Sequence, residues 1–272
     1  MTSIKDAEHF WDNNPVHSIE IPHLDDLKLF SEKCDFLRWN NYDIFTKTNF
    51  YEALIGKGYR ILDAGCGTGV CTRYYSRKGL DVHAIDISQK SVEINKKTLE
   101  LNNLHATVKK ASVEKIPYPN NFFDSIVSVG VIHHTENITK SIEEIYRVLK
   151  PGGLAFVSVN YKHILFRLPL WHLTKKIIIC LTKKTDGRSK LNTIKTPEDL
   201  GLVYDGNDCP ISNLYTIKQT RKMFSKFKIL EIEPHYFPVR YIKLIPIKHG
   251  SFLHRIADNY FGTGLYCLLK KP

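Results

Sequence analysis

The sequence lacks the patterns that would place it outside ordinary globular proteins. Its six cysteines are far apart, and no CxxC or Cys/His ligand spacing occurs. This argues against a disulfide framework or a structural metal site and predicts free thiols in a reducing compartment. No run of about 18 apolar residues is present, and the polar start MTSIKDAEHFWDNNP has no basic and apolar regions of a secretory signal. We therefore expect a cytoplasmic protein with no membrane span and no bound metal.

Acidic side chains are scarce in the C-terminal part of the chain. The 272 residues include 39 Lys+Arg and 28 Asp+Glu, which gives a net charge of +11. Residues 1–160 hold 19 basic and 20 acidic side chains, whereas residues 161–272 hold 20 and 8. The excess of positive charge therefore lies in the C-terminal part, and it is densest over residues 161–195, where nine basic residues accompany one acidic residue.

Apolar patterns alternate between strand-like and helical through the chain. Short apolar runs separated by segments of helical spacing are typical of βαβ units, in which helices cover both faces of a parallel sheet. The predicted fold is therefore α/β and doubly wound, with a mostly parallel sheet of seven strands. The predicted strands are 59–63, 82–87, 106–110, 125–129, 154–159, 228–233 and 264–269.

We predict one structural unit. Residues 1–55 would form an N-terminal helical segment, with apolar positions at helical spacing over residues 24–55. Residues 56–272 would form the α/β domain, with a basic insert at 161–215 and a second, irregular insert at 234–261. Both inserts follow strands, so they would lie above the carboxyl edge of the sheet, where open α/β sheets bind ligands.

A glycine-rich loop, ILDAGCGTGV, follows the first predicted strand. Gly65, Gly67 and Gly69 let the backbone approach a ligand, and the next helix offers unpaired N–H groups and the positive end of its dipole. A dinucleotide-binding loop would need G-x-G-x-x-G, but Val70 stands at the last glycine position, which counts against NAD. Asp63 adds a carboxylate, which suits a cationic ligand and opposes a pyrophosphate.

The second predicted strand ends in HAIDIS, which contains Asp86. An acidic residue about 20 positions after a glycine loop is placed to accept hydrogen bonds from both hydroxyls of a ribose. The same position also suits a cap of the next helix. Taken with the loop, Asp86 indicates a ligand that carries a ribose.

Together these motifs resemble class I S-adenosylmethionine-dependent methyltransferases, in the subgroup of the ubiquinone and menaquinone biosynthesis enzymes. ILDAGCGTG is similar to the family's glycine loop, HAIDIS to its ribose-binding strand end, FFDSIVSVGVIHH to its fourth strand and YRVLKPGG to the turn before its fifth strand. The four motifs stand in the family's order across residues 55–160. The resemblance implies a Rossmann-like fold and S-adenosylmethionine as the cofactor.

The resemblance also implies roles for single residues around the cofactor. Gly65 and Gly67 would contact the methionine part, Asp86 the ribose and Ile87 the adenine. The full predicted cofactor set is Asp63, Gly65, Gly67, Gly69, Asp86, Ile87, Ser112, Val113, Ser128 and Gly130.

Two of these positions have a structural alternative. The family often has an acid where this chain has Ser112, followed by a small or apolar residue such as Val113 near the adenine amino group. Ser112 can still accept a hydrogen bond. Ser128 and Gly130 end the fourth strand, where the backbone would face the sulfonium. Plain strand packing is the alternative for Ser112 and Ser128.

Two adjacent histidines follow the fourth strand. Methyl transfer is an in-line displacement, and a base can be needed to deprotonate a hydroxyl acceptor. An imidazole titrates near neutrality, so His133 is our candidate catalytic base, with His134 lining the substrate. The alternative is that both are structural. The resemblance further implies that residues 1–55 form a helical lid over the cofactor, so that Trp11 and Tyr42 would line the pocket, or else pack a helix.

The basic insert permits three interpretations. It interleaves apolar and basic residues, and Pro169 interrupts any continuous amphipathic helix. We favour a lid over the substrate, with Trp171 lining the pocket. One alternative is a segment that binds a lipid-like substrate or an anionic membrane. The other is an RNA-binding face. RNA is disfavoured because the N/D-P-P-Y/F motif of base-modifying methyltransferases is missing after strand four.

The sequence thus predicts a methyltransferase that acts on an O- or C-nucleophile of a small, lipophilic molecule. The alternatives are a methyltransferase that acts at an RNA or membrane surface through its basic part, and a non-catalytic regulator that only binds S-adenosylmethionine. A small-molecule acceptor is the expected partner, with no nucleic acid and with peripheral membrane contact left open.

Overall fold

We describe a computed structural model of the chain. The structure describes residues 4–18, 21, 24–163, 173, 175–176, 196, 209–237 and 247–272. Most of the basic insert, including Trp171, and residues 238–246 of the second insert lie outside this part. Among the described residues, none of the helices is both long and apolar enough to cross a membrane. Every cysteine apart from Cys180, which lies outside the described part, is buried and free.

Seven strands form one mixed sheet. Their order is β3-β2-β1-β4-β5-β7-β6, with β1 to β5 parallel and β7 antiparallel to both β5 and β6. The predicted Rossmann-like, mostly parallel seven-stranded fold is confirmed. The strands are β1 (Arg60–Ala64), β2 (Asp81–Asp86), β3 (Thr107–Lys110), β4 (Phe123–Val129), β5 (Leu149–Asn160), β6 (Lys228–His235) and β7 (Gly264–Lys270).

Helices precede the sheet and cover both of its faces. They are α1 (Ile4–Asn13), α2 (Leu27–Leu37), α3 (Val70–Arg77), α4 (Gln89–Leu101), α5 (Ile138–Val148), α6 (Ile217–Met223) and α7 (Phe252–Phe261). Gly79 follows α3 with φ 74°, the conformation that glycine adopts at a helix end.

Helix α1 lies within residues 1–55, the segment predicted to be a helical lid. Helix α7 differs from the sequence-based expectation, because it lies in the second insert, which was predicted to be irregular. Its buried side carries His254, Ala257 and Asp258, while its large apolar residues are exposed. The apolar face of this helix is therefore directed to solvent and not to the core.

The strands alternate their side chains between two apolar layers. Leu62 and Ile126 contribute to the core on one face, and Ile61 and Val127 to the core on the other. All four side chains are fully buried, as expected for a sheet covered on both sides. This packing fixes the strand ends at the carboxyl edge, where the predicted ligand site lies.

Buried polar groups tie the N-terminal segment to the α/β domain. Between α2 and β1, the Asp43 carboxylate accepts hydrogen bonds from the hydroxyls of Tyr51 at 2.7 Å and Tyr266 of β7 at 2.5 Å, and from the Arg38 guanidinium at 3.1 Å. Asp43 is fully buried. Its network joins the turns after α2 to β7, although the division into a lid and a domain remains a prediction.

Candidate functional site

The predicted site residues follow the carboxyl ends of three neighbouring strands. Gly65 follows β1, Asp86 ends β2 and Gly130 follows β4. Because β1 lies between β2 and β4, the glycine loop stands at the centre of the edge. The N–H groups of Gly65 and Cys66 both donate to the carbonyl of Ile85, at 2.8 and 2.9 Å, which holds the loop against β2.

The loop glycines are required by their backbone and their neighbours. Gly65, Gly67 and Gly69 all have positive φ, at 84°, 48° and 90°. A Cβ on Gly65 would collide with Val131, and one on Gly69 would collide with the Asn95 side chain. Any larger residue would force the loop away from its present path.

Asp86 connects the glycine loop to helix α4. Its carboxylate accepts one hydrogen bond from the N–H of Gly67 at 2.8 Å and another from the N–H of Ser88 at 2.9 Å. Burial raises the pKa of this carboxyl, and these backbone hydrogen bonds oppose the rise. A carboxylate has about four acceptor positions, so two remain for the hydroxyls of a ribose.

Asp63 lies beneath the loop and is buried. Its carboxylate accepts the Thr72 hydroxyl of α3 at 2.7 Å, and Asn95 of α4 donates to the same hydroxyl at 3.0 Å. Burial raises the pKa of Asp63 to about 7, against an opposing contribution from the Thr72 hydrogen bond, and the Asp86 carboxylate adds to the rise. Asp63 therefore titrates near neutrality in the cofactor-free chain.

We expect this titration to appear in the pH dependence of stability. The folded pKa lies above the ordinary value of 3.8. The native state therefore binds the extra proton between about pH 4 and 7, and the contribution of Asp63 to stability is lost as the pH rises through that window. In thermal melts of the cofactor-free protein, the Tm should decrease between about pH 4 and 7. In Asp63→Asn this decrease should be smaller by several degrees. Equal slopes in both proteins would contradict the assignment, and Asp81→Asn is the surface control.

The other predicted cofactor residues have mixed environments. The Ser128 hydroxyl donates to the carbonyl of Ala64 at 2.8 Å, so that side chain ties β4 to β1. Ser112 accepts from the N–H of Glu114 at 3.1 Å, and Val113 is buried in the core. Gly130 is exposed, and a Cβ there would meet nothing within 4 Å. The open backbone at Gly130 is where this edge can admit a ligand, and Ile87, which follows β2, is half-buried.

Helix α1 lies across the carboxyl edge. Its Asp12 carboxylate accepts from the Ser88 hydroxyl at 2.7 Å and from the N–H of Lys90 at 3.1 Å, at the start of α4. The next turn brings Val16 within 3.2 Å of a Cβ placed on Gly67. The N-terminal segment thus covers the glycine loop, and Asp12 is a contact that sequence reasoning missed.

Two predicted pocket residues meet on the other side of α1. The ring of Trp11 lies 5.1 Å from the ring of His134, edge to face, and the rings of His133 and His134 are 4.1 Å apart. His134 donates from Nδ1 to the carbonyl of Ile211 at 2.6 Å. The Trp11 side chain therefore packs on the histidine turn, as a wall of the pocket would require.

His133 is 2% exposed, and its Nδ1 has no hydrogen-bond partner. Burial lowers its pKa well below 6.5, the neighbouring His134 lowers it further, and a hydrogen bond with the backbone of Ser158 acts in the opposite direction. The imidazole is therefore neutral at pH 7, with one nitrogen able to accept a proton.

Tyr42 belongs to a second aromatic group. Its ring stacks on His17 at 5.6 Å and meets Tyr236, which follows β6, at 4.9 Å. Because His17 follows the Val16 that covers the glycine loop, this aromatic group lies between the N-terminal segment and the end of β6. The structure thus brings Trp11, Tyr42 and the histidine turn to the same edge, whereas Trp171 lies outside the described residues.

Sequence reasoning also missed the support beneath the loop. The fully buried Arg73 of α3 donates to the Thr68 carbonyl of the glycine loop at 2.7 Å and to the Asp35 carboxylate of α2 at 2.6 Å. A second missed pair is His235 and Asp258, whose Nδ1 and carboxylate are 2.9 Å apart. The sequence alone does not show which distant carboxylate an arginine or a histidine will pair with.

The geometry fits S-adenosylmethionine, the cofactor that the resemblance implies. Asp86 keeps acceptor positions for a ribose, and the three loop glycines contribute no side chains of their own. Asp63 and Asp86 place two buried carboxyl groups at the loop, and a nearby sulfonium or ammonium group would favour their charged forms. The open backbone at Gly130 leaves room at the end of β4.

Comparison with known proteins identifies the central part of the chain. Residues 62–157 match the family model described as a methyltransferase domain. The uncharacterized methyltransferase YdaC of Bacillus subtilis is 32% identical over 108 residues, 39% of this chain and 59% of YdaC. The ubiquinone/menaquinone biosynthesis C-methyltransferase UbiE of Vibrio cholerae is 35% identical over 115 residues, 40% of this chain and 44% of UbiE. The matches therefore span about half the length of these relatives.

The fold extends the similarity beyond the matched segment. A solved SAM-dependent methyltransferase from Thermotoga maritima superposes with a TM-score of 0.55 at 14% identity, covering 98% of this chain and 100% of that one. This likeness shows the fold alone. The four ordered motifs and the family match carry the assignment of class and cofactor, and the fold agrees with it. Residues 62–157 are therefore a methyltransferase domain of the class I, S-adenosylmethionine-dependent type.

Proposed function

We propose that the chain transfers a methyl group to an O- or C-nucleophile of a small, lipophilic molecule. The observation that carries this proposal is a continuous set of contacts at one edge of the sheet. Asp86 holds the glycine loop and Ser88, Ser88 binds Asp12 of α1, and the adjacent Trp11 packs on His134. The proposed ribose site and the proposed aromatic wall would thus both adjoin helix α1.

Each side chain would have a separate task. S-adenosylmethionine supplies a methyl group on a positively charged sulfur when it is bound. Asp86 would hold its ribose, and the glycine loop would accommodate its methionine part. Helix α1 would exclude water from the reacting groups, which strengthens electrostatic interactions there. His133 would accept the acceptor's proton at Nδ1, the nitrogen without a partner.

The acceptor class is supported by chemistry and by the relatives. UbiE is named as a C-methyltransferase, and a relative in Methylocella silvestris is named as a ubiquinone biosynthesis O-methyltransferase. Aromatic side chains of Trp11 and Tyr42 suit a flat, apolar acceptor. The buried free thiols agree with a cytoplasmic location, which is part of this proposal.

Replacing Asp86 with Ala should weaken S-adenosylmethionine binding about ten- to a hundredfold, because charge-assisted hydrogen bonds of this kind contribute roughly 1.5–3 kcal/mol. Isothermal calorimetry measures the change. Asp81→Ala is the matched control, since Asp81 begins the same strand at the opposite edge and is exposed. An unchanged Kd in Asp86→Ala would remove the ribose assignment.

The acceptor itself can be found with S-adenosylmethionine labelled in its methyl group. Phenols, enolisable ring carbons, amines and tRNA would be offered separately, and label in an extracted product would be counted. Label in phenols or ring carbons supports the proposal. Label only in amines or in tRNA, or binding without transfer to any acceptor, would replace it by one of the alternatives.

A further inference from the structure

Helix α7 exposes a stripe of large apolar side chains. Phe252 is 77% exposed, Tyr260 68% and Leu253 61%, and Ile256 and Phe261 are also exposed. Positions 252, 253, 256 and 260 lie within about 100° of one another around a helix, so they form one face. Elsewhere in the described part of the chain, exposed large apolar residues are spread over separate elements.

This stripe is not needed to hold the helix in place. The opposite side of α7 buries His254, Ala257 and Asp258. The Asp258 carboxylate accepts from Nδ1 of His235 at 2.9 Å and from the N–H of Phe237 at 2.8 Å, and Ser251 caps the first turn. The helix is therefore fixed to β6 through its polar side, and its apolar side remains for another partner.

The charges around the stripe have one sign. Over residues 247–261, all of them described, the basic residues Lys248 and Arg255 are exposed, and the single acidic residue, Asp258, is buried. The C-terminal part of the chain carries 20 basic and 8 acidic residues overall. A helix with large apolar residues on one face, flanked by basic groups, is typical of segments that lie in the interface of an anionic bilayer.

The helix also adjoins the edge that carries the site. It leads through Gly262 into β7, whose first residue, Gly264, pairs with Asn160 at the end of β5. His163, shortly after β5, donates from Nε2 to the carbonyl of Tyr260 at 2.7 Å. A surface that contacts α7 would thus lie beside the carboxyl ends of the strands.

We propose that α7 docks this protein on anionic lipid bilayers, with Phe252, Leu253 and Tyr260 inserted among the lipids and Lys248 and Arg255 facing the headgroups. This proposal goes beyond methyl transfer and does not depend on it. It explains why an apolar face is presented to solvent next to basic residues. Charge complementarity favours an anionic bilayer over a second copy of this positively charged chain.

The test is sedimentation of the full chain with phosphatidylcholine vesicles that contain about one part in three of phosphatidylglycerol. We expect binding at physiological salt, weaker binding to pure phosphatidylcholine, and at least a tenfold lower partition coefficient for the variant Phe252→Ser/Leu253→Ser/Tyr260→Ser. The variant Lys248→Glu/Arg255→Glu should bind the anionic vesicles less tightly than the unchanged protein. Its binding should also respond less to a change in salt concentration.

A matched control removes exposed apolar side chains elsewhere. In Phe36→Ser/Leu101→Ser/Leu230→Ser the replaced residues lie on α2, α4 and β6, so vesicle binding should be unchanged. Calorimetric binding of S-adenosylmethionine shows that each variant is folded and keeps failure of this proposal separate from failure of the proposed function. Equal losses in both triple variants would overturn the proposal. So would no binding to anionic vesicles, or a dimer in sedimentation velocity that the α7 variant alone dissolves.

Discussion

Replacing Asp43 with Ala is expected to lower the free energy of unfolding by about 3–5 kcal/mol, which is the usual cost of removing one member of a buried charge pair. The Arg38 guanidinium would lose its carboxylate, and the hydroxyls of Tyr51 and Tyr266 would lose their acceptor. Burial, and then the Asp43 charge, raise the pKa of both phenols, so both remain protonated donors at pH 7. Urea unfolding of the cofactor-free protein, followed by tryptophan fluorescence, measures the loss.

A surface pair provides the comparison. Glu143 and Lys226 are 3.1 Å apart, and both are more than half exposed, so Glu143→Ala should cost less than about 1 kcal/mol. If Asp43→Ala costs as little as Glu143→Ala, the Asp43 network does not hold the N-terminal turns to β7. Because these turns carry Tyr42, loss of the network should also disturb the aromatic group formed with His17 and Tyr236.

The centre of the site could be predicted because its chemistry is local in sequence. The loop from Gly65 to Gly69 needs positive φ at three positions, and such a requirement is visible as glycine in the sequence. Asp86 was placed correctly at the end of β2, and the structure shows it serving the loop and Ser88 at once. Ser88, and not Asp86, caps helix α4, and the ribose role of Asp86 stays a prediction.

The surroundings of the site could not be predicted because they depend on distant contacts. Asp12 meets Ser88 across 76 positions, and Arg73 meets Asp35 across 38. No pattern in a single sequence signals such pairs. Ser128 lies near the end of β4, as predicted from the sequence. Its hydroxyl donates a hydrogen bond to the carbonyl of Ala64, a contact that the sequence does not show.

The remaining differences follow from which side of an element is buried. Helix α7 was missed although its large apolar residues stand at helical spacing, and that spacing does not show that they face solvent. The last two strands were predicted, but their order, with β7 between β5 and β6, follows from tertiary pairing. An apolar run predicts a strand and leaves its neighbours undetermined.

Replacing His133 with Ala is expected to slow methyl transfer to a hydroxyl acceptor by about a hundred- to ten-thousandfold, the range that general base catalysis provides. The affinity for S-adenosylmethionine should change little, because the glycine loop and Asp86 bind the cofactor. Exposed His105 provides the control, and His105→Ala should leave the rate unchanged. Single-turnover rates and calorimetric binding on the same preparations separate the two effects.

The pH profile and an asparagine variant distinguish a base from a hydrogen-bond acceptor. Because the pKa of His133 is lowered well below 6.5, its imidazole stays neutral as the pH falls from 8 to about 6.5, and the wild-type rate should remain level there. The rate should fall only at lower pH, as the imidazole takes up a proton. Asparagine can accept a hydrogen bond at the position of Nδ1 but cannot take the proton. His133→Asn should therefore be as slow as His133→Ala and lack the acid limb, and a His133→Asn rate close to that of wild type would show that His133 only positions the acceptor.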